Sequence, residues 1–279
     1  MSALRALQTL DRRWIFLAVG LLVILPLLFG FHIAAVKPSH RAIGFYETIE
    51  KLPEGSTVLL AGDYDPGTAA ENYPMHLAAA RHLMRRNMKI IAMALYPAGP
   101  PLTDQVLRIA GEEFGKQPGV DYVNLGYKTG NELVMSSMGQ SIPATFPVDN
   151  RGVPVDRIPV MRGVRNYGQI KLLVNVSAGY PGTKEWVQQV VSRFHLPMVA
   201  GVTAVSAPEY YPYLQAGQLQ GLLGGMAGAA EYETLVQKPG LATRGMDAQS
   251  LAHVFIAFMI VLGNIAFLPQ RKAGGRSGA

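Results

Sequence analysis

The chain has 279 residues, 49% of them hydrophobic, no cysteine and a formal net charge of +6. The lack of cysteine excludes disulfides, thiolate nucleophiles and Cys-based metal sites. The basic balance does not indicate nucleic acid, because Arg5, Arg12 and Arg13 against Asp11, together with Arg271, Lys272 and Arg276, carry five of the six net charges, whereas a nucleic-acid protein carries its basic patch on the folded domain.

Residues 14–36 and 248–270 are charge-free apolar stretches of 23 residues each. At 1.5 Å per residue each is long enough to cross a hydrocarbon core of about 30 Å. Pro26 would kink the first, which neighbouring helices can accommodate. His32 and His253 stand near the outer ends, at interface or helix-pair positions. Basic tails beside such stretches are the positive-inside signature. The expectation is a cell (inner) membrane protein. Residues 1–13 and 271–279 are cytoplasmic tails, 14–36 and 248–270 are transmembrane helices, and 37–247 form an extracytoplasmic domain. A cleaved signal peptide is the alternative for the first stretch, with small residues at Ala34 and Ala35, but the run is longer than the usual h-region of about 7–15 residues.

Between the stretches, short apolar runs alternate with amphipathic segments. Residues 56–62 (STVLLAG) predict a strand, followed by the turn Asp63-Tyr64-Asp65-Pro66-Gly67. Thr68 and Glu71 then form a T-x-x-E capping box opening a helix to about Asn87, with Pro74 restarting or kinking it. Residues 89–96 (KIIAMALY) predict a second strand, and Thr103 caps a helix to about Lys116. Residues 121–125 form a short third strand. Residues 131–169 are less regular, and 141–159, with Pro143, Pro147, Pro154 and Pro159, read as a long surface excursion of the kind that carries interactions. Residues 170–176 (IKLLVNV) predict a strand. Thr183 opens a helix whose Trp186, Val187, Val190, Val191 and Phe194 share one apolar face. Residues 197–205 form a fifth strand. Ser206 and Glu209 make a second capping box on a short helix bearing Tyr210, Tyr211 and Tyr213. Residues 218–224 (QLQGLLG) form the last strand, leading into a helix to about Gln237, and 239–247 form a link to the second apolar stretch.

Six strands alternating with helices predict an α/β fold, Rossmann-like or flavodoxin-like: a doubly wound, mostly parallel sheet flanked by two transmembrane helices. In such sheets the functional crevice opens past the carboxyl ends of the strands. That rule selects Asp63, Asp65, Tyr127, Lys128, Ser177, Glu209 and Tyr210 as ligand-binding candidates. Asp63 and Asp65 stand where a cation or a catalytic carboxylate could sit, and the D-x-D-x-x-T spacing is similar to that of haloacid-dehalogenase phosphatases. No acidic pair follows a later strand, however, so a turn in which either carboxylate bonds its own backbone is preferred. Gly221, Gly224, Gly225 and Gly228 match neither G-x-G-x-x-G nor G-x-x-x-x-G-K-[ST] and read as a tight strand–helix turn. Ser177 lacks the G-x-S-x-G elbow, and His76, His82 and His195 lack metal-ligand spacing. Arg81, Arg85 and Arg86 read as a solvated helix face. No metal or cofactor is expected, and the sequence assigns no catalytic residue.

The block VSAPEYYPYLQAGQLQGLLGGMAGAAEYE at 205–233, with DYDPGTA at 63–69 and LGYK at 125–128, resembles bacterial membrane-anchored proteins of unknown function. The likeness covers most of the outer domain; it implies anchorage and carries no assigned activity. The helix, LQAGQL (214–219), strand and helix are similar, over about 30 residues, to the late part of type 1 periplasmic-binding proteins. That likeness implies ligand binding, although the N-terminal half lacks their sugar-binding pattern of aromatics and acids. The expected function is a membrane-anchored, non-enzymatic extracytoplasmic module. It binds a partner protein (another membrane protein or a second copy) or a small-molecule ligand as part of a membrane assembly, and not nucleic acid. The alternative is a membrane-anchored hydrolase with a carboxylate site after the first strand.

Overall fold

The computed structural model describes residues 11–31 and 37–274; His32, Ala34, Ala35, Arg5 and Arg276 lie outside the described residues. The chain divides into two units, residues 36–242 and the terminal segments 1–35 with 243–279.

The terminal segments carry helices α1 (Arg12–Phe29) and α11 (Leu241–Gly274). Asp11 caps α1 by accepting from the Arg13 N–H at 2.9 Å. Pro26 lies inside α1 without ending it, and Gly30, at φ 62°, closes it. The windows Arg12–Phe29 and Leu241–Ile265 are long and apolar enough to cross a membrane, with mean hydropathy 2.0 and 1.7. The link expected at 239–247 is instead helical from Leu241, the helix running on through Gly245 into the apolar stretch.

Residues 36–242 hold strands β1 (Thr57–Asp63), β2 (Lys89–Ala94), β3 (Tyr122–Tyr127), β4 (Leu172–Ser177), β5 (Met198–Val202) and β6 (Gly221–Gly224). They form one six-stranded sheet in the order β3-β2-β1-β4-β5-β6, and all five pairings are parallel. This is the doubly wound Rossmann order, with the switch point between β1 and β4. Successive strand residues face opposite sides. Leu59, Ala61, Ile91, Met93 and Leu173 enter one core cluster, while Val58, Leu60, Ile90 and Ala92, facing the other way, are equally buried. Coverage of both faces is what the unalternating apolar runs require.

The sequence pattern leaves 40–50 unassigned, yet α2 (His40–Glu50) forms there. The Ser39 hydroxyl accepts from the Ala42 N–H, and Ala42, Phe45 and Ile49 bury one side. The helix packs against β6 so closely that a Cβ on Gly221 would overlap the Phe45 backbone.

Helices α3 (Ala69–Arg85) and α4 (Gly99–Phe114) follow β1 and β2 and pack on each other. The expected capping box on α3 does not form. Thr68 makes no side-chain cap bond, and Glu71 instead accepts the Ala204 N–H at 2.7 Å. The helix does not need the cap, since burying Met75 and Leu83 contributes about 1.5–3 kcal/mol each against about 1 kcal/mol for a cap. Thr103 is not a cap either. The run Gly99-Pro100-Pro101 starts α4 four residues earlier, proline being suited to a first turn, so Thr103 is interior and fully buried. The arginines of α3 are paired rather than merely solvated: Arg81 with Glu113 at 2.6 Å, and Arg85 and Arg86 with Glu50 at 2.7 and 3.5 Å.

Residues 131–169, which include the excursion expected at 141–159, contain α5 (Asn131–Met138), α6 (Ile142–Thr145) and three 3₁₀ turns. This stretch is more than a surface loop. Val155, Ile158, Val160, Met161 and Tyr167 are buried in the core cluster, while the Asn150 and Val160 N–H groups donate to the carbonyls of Asn124 and Gly119 at 2.9 Å each. It thereby covers the outer edge of β3, which would otherwise expose unpaired backbone groups.

After β4 come α7 (Thr183–Trp186), a π-helical turn (Val187–Val191) and α8 (Ser192–Phe194). Helix α9 (Ala207–Gln215) joins β5 to β6, and Ser206 bonds the Thr203 hydroxyl at 2.9 Å rather than capping it. Helix α10 (Gly225–Leu235) closes the fold, entered through Gly225 at φ 62°. Both ends of this unit are tied to α10. Ser39 donates through its N–H and hydroxyl to Glu231 at 3.1 and 2.6 Å, and the Gly240 and Ala242 N–H groups donate to Glu233 at 2.8 and 3.1 Å.

Candidate functional site

Asp63 ends β1 directly opposite Ser177 at the end of β4, so the two acidic and hydroxyl candidates of the switch point do meet in the register. The Asp63 side chain is fully buried. Its Oδ1 accepts the Leu95 N–H at 2.6 Å, and its Oδ2 accepts the Asn175 amide at 2.9 Å and the Trp186 indole N–H at 2.8 Å. Burial pushes its pKa up to about 6, against the opposing pull of these three donors.

The network continues from Asn175, whose Oδ1 accepts the Thr183 hydroxyl at 2.8 Å. The Ser177 hydroxyl in turn accepts the Thr183 N–H at 3.1 Å and pairs with its hydroxyl at 3.0 Å. Asn72 of α3 donates to the Ser177 carbonyl at 3.0 Å. Indole, amide and hydroxyl groups therefore occupy the crevice where a doubly wound fold would receive a ligand. Ser177 is committed to opening α7, and Asp63 to joining β1, β4 and the end of β2. Neither faces solvent.

Asp65 behaves differently. It is half-buried, its Oδ1 accepts the Thr68 N–H at 3.2 Å, and Tyr96 donates to its Oδ2 at 3.4 Å. This is the turn-forming use of aspartate. Tyr127 and Lys128 are exposed at the end of β3, two strands from β1. Glu209 is exposed on α9, and Tyr210 beside it is buried in the core, its ring 6.2 Å from that of Tyr213. The seven candidates therefore divide: Asp63, Asp65 and Ser177 lie together at the switch point, and the other four lie toward the two sides of the sheet.

Sequence reasoning missed Asn175, Thr183 and Asn72 as partners and took Trp186 only as apolar. A signal was present, since Asn175 interrupts an otherwise apolar strand and a buried amide requires partners. His76 and His82 are both buried. Burial holds His76 down at about 3; its Nδ1 faces the Tyr64 hydroxyl at 3.1 Å. Burial likewise lowers His82, to about 4, against its bond to Glu50. Its two ring nitrogens lie 2.6 Å from the Tyr232 hydroxyl and 2.9 Å from Glu50.

Three open spaces lie away from Asp63. A cavity of about 190 Å³ opens between β3, α4 and the excursion, and one of about 140 Å³ lies beside Arg41 and Tyr211 near the end of β6. A broad groove of about 470 Å³ runs past His195 and Gln218, by the starts of β5 and β6. Among the described residues no three His, Asp or Glu side chains gather as a metal-ligand set. No protein-family model matches the chain, and no curated protein matches it.

Proposed function

We propose that this protein is a membrane-anchored module whose α/β unit stands on the extracytoplasmic side. It acts by binding a partner protein or a small ligand within a membrane assembly, without a chemical step at the switch point. The observation that carries this reading is the closure of Asp63: a carboxylate with no exposure and three donors on its two oxygens has no room for a substrate or a cation. The hydrolase alternative keeps only Asp65, which its own turn already engages. Two terminal helices apolar enough to span a membrane, with the basic residues outside the apolar stretches, support the anchoring and its direction. Leu133, Tyr180 and Val205, which are 73%, 58% and 90% exposed, follow β3, β4 and β5. They give the carboxyl end of the sheet an apolar rim suited to contact.

Photo-crosslinking amino acids placed at Leu133, Tyr180 and Val205 in cell membranes test this reading, with Lys51 as control. Discrete adducts, to another protein or to a second copy, are expected from the rim positions and none from Lys51. Absence of adducts, together with hydrolysis of a phosphoester or ester panel that Asp65→Asn abolishes, would establish the hydrolase instead.

A further inference from the structure

The cavity between β3, α4 and the excursion holds charges of both signs that do not pair with each other. Arg151 and Arg157 line it, and neither makes an ion pair among the described residues. Asp104 and Asp149 line it too. The oxygens of Asp104 are held by neutral donors, the Asn124 amide at 2.8 Å and the Asn150 amide at 2.6 Å, so its charge stays uncompensated. Oδ1 of Asp149 accepts the backbone N–H groups of Arg151 and Val153 at 2.9 and 2.8 Å, which fixes the carboxylate in the turn.

We propose that this cavity binds a small zwitterion of the α-amino-acid kind, its carboxylate received by Arg151 and Arg157 and its ammonium by Asp104 and Asp149. The proposal deepens the binding-module reading and rests on it. Size selects the class. At about 190 Å³ the cavity is below the roughly 300–1,000 Å³ of drug-sized sites, so a nucleotide is too large. Charge selects within the class, because a plain anion would meet two carboxylates and a plain cation two guanidinium groups. A ligand carrying both charges joins groups that the fold holds apart. Arginine's fork suits a carboxylate, and an ammonium suits Asp oxygens. Buried Val123 and Ile158 in the wall lower the local dielectric and strengthen both contacts.

Isothermal titration of the full-length protein in detergent micelles with glycine, L-alanine and L-leucine tests the site, with acetate and methylammonium as single-charge controls. At least one zwitterion is expected to bind tenfold or more tightly than either control. Arg151→Gln/Arg157→Gln should lose at least tenfold of that affinity while keeping the wild-type thermal midpoint, because both side chains are exposed and unpaired. The proposal is overturned by no binding of any zwitterion, by acetate binding equally well, or by undiminished binding in the double variant. None of these outcomes touches the rim crosslinks, so the site can fail while the binding module stands.

Discussion

At the scale of the residue, Asp63 is balanced between burial, which favours its neutral form, and three donors, which favour its charge. Its folded pKa of about 6 lies above the ordinary 3.8. The folded state therefore holds the proton to higher pH than the unfolded chain. The stabilisation is fully present below about pH 4 and is lost as pH rises toward 6, by about 3 kcal/mol. Urea unfolding of wild type and Asp63→Asn between pH 4 and 7 should show this downward contribution in the wild type and its absence in the variant. An unchanged slope would remove Asp63 as its source. Asp65→Asn should unfold within about 0.5 kcal/mol of wild type at every pH, because Asn supports the same turn bond. Two acids separated by one tyrosine thus do opposite work. The turn at Asp65 was legible, because turn chemistry is local. The burial of Asp63 was not, because Asn175 and Trp186 reach it from more than 100 residues away.

At the scale of the element, α3 is the member that ties the fold together. Its first turn reaches across the sheet through Glu71 and Asn72. Its last turns bind α2 and α10 through His82, which bridges Glu50 and Tyr232. His82→Phe keeps the stack on the Tyr46 ring, now 4.7 Å away, but leaves the buried Tyr232 hydroxyl without its partner, at a cost of about 1–3 kcal/mol. The pH dependence is opposite in sign to that of Asp63. The folded pKa is depressed to about 4, so stability is complete above about 6.5 and falls as the unfolded chain takes up a proton on acidification. Urea midpoints from pH 8 to 4.5 should fall less steeply for His82→Phe than for wild type, and an equal fall would refute the bridge as the acid-sensitive element. The strands were readable from their apolar runs. The caps were misread because a matching local pattern does not fix the partner: Glu71 accepts the distant Ala204 N–H, and Ser206 bonds Thr203 three residues back. Helix α2 was passed over because its buried face is only three residues wide.

For the whole molecule, the parallel pairing of the strands follows from the alternation of elements, while their order and the filling of the switch point depend on contacts that no local pattern encodes. The proposed orientation, read from the basic tails, puts both termini in the cytoplasm, and labelling tests it. In this chain without native cysteine, a Cys at Val205 should react with an impermeant maleimide in intact cells and one at Ser277 only after permeabilisation; the reverse pattern would invert the orientation. The ties on α10 have a mechanical consequence. The α/β unit is entered next to Ser39, held on Glu231, and left through Gly240 and Ala242, held on Glu233 two residues away. Tension between the two ends is carried across that single turn. The load bypasses the six strands, and the unit hangs from the chain like a weight on a closed shackle.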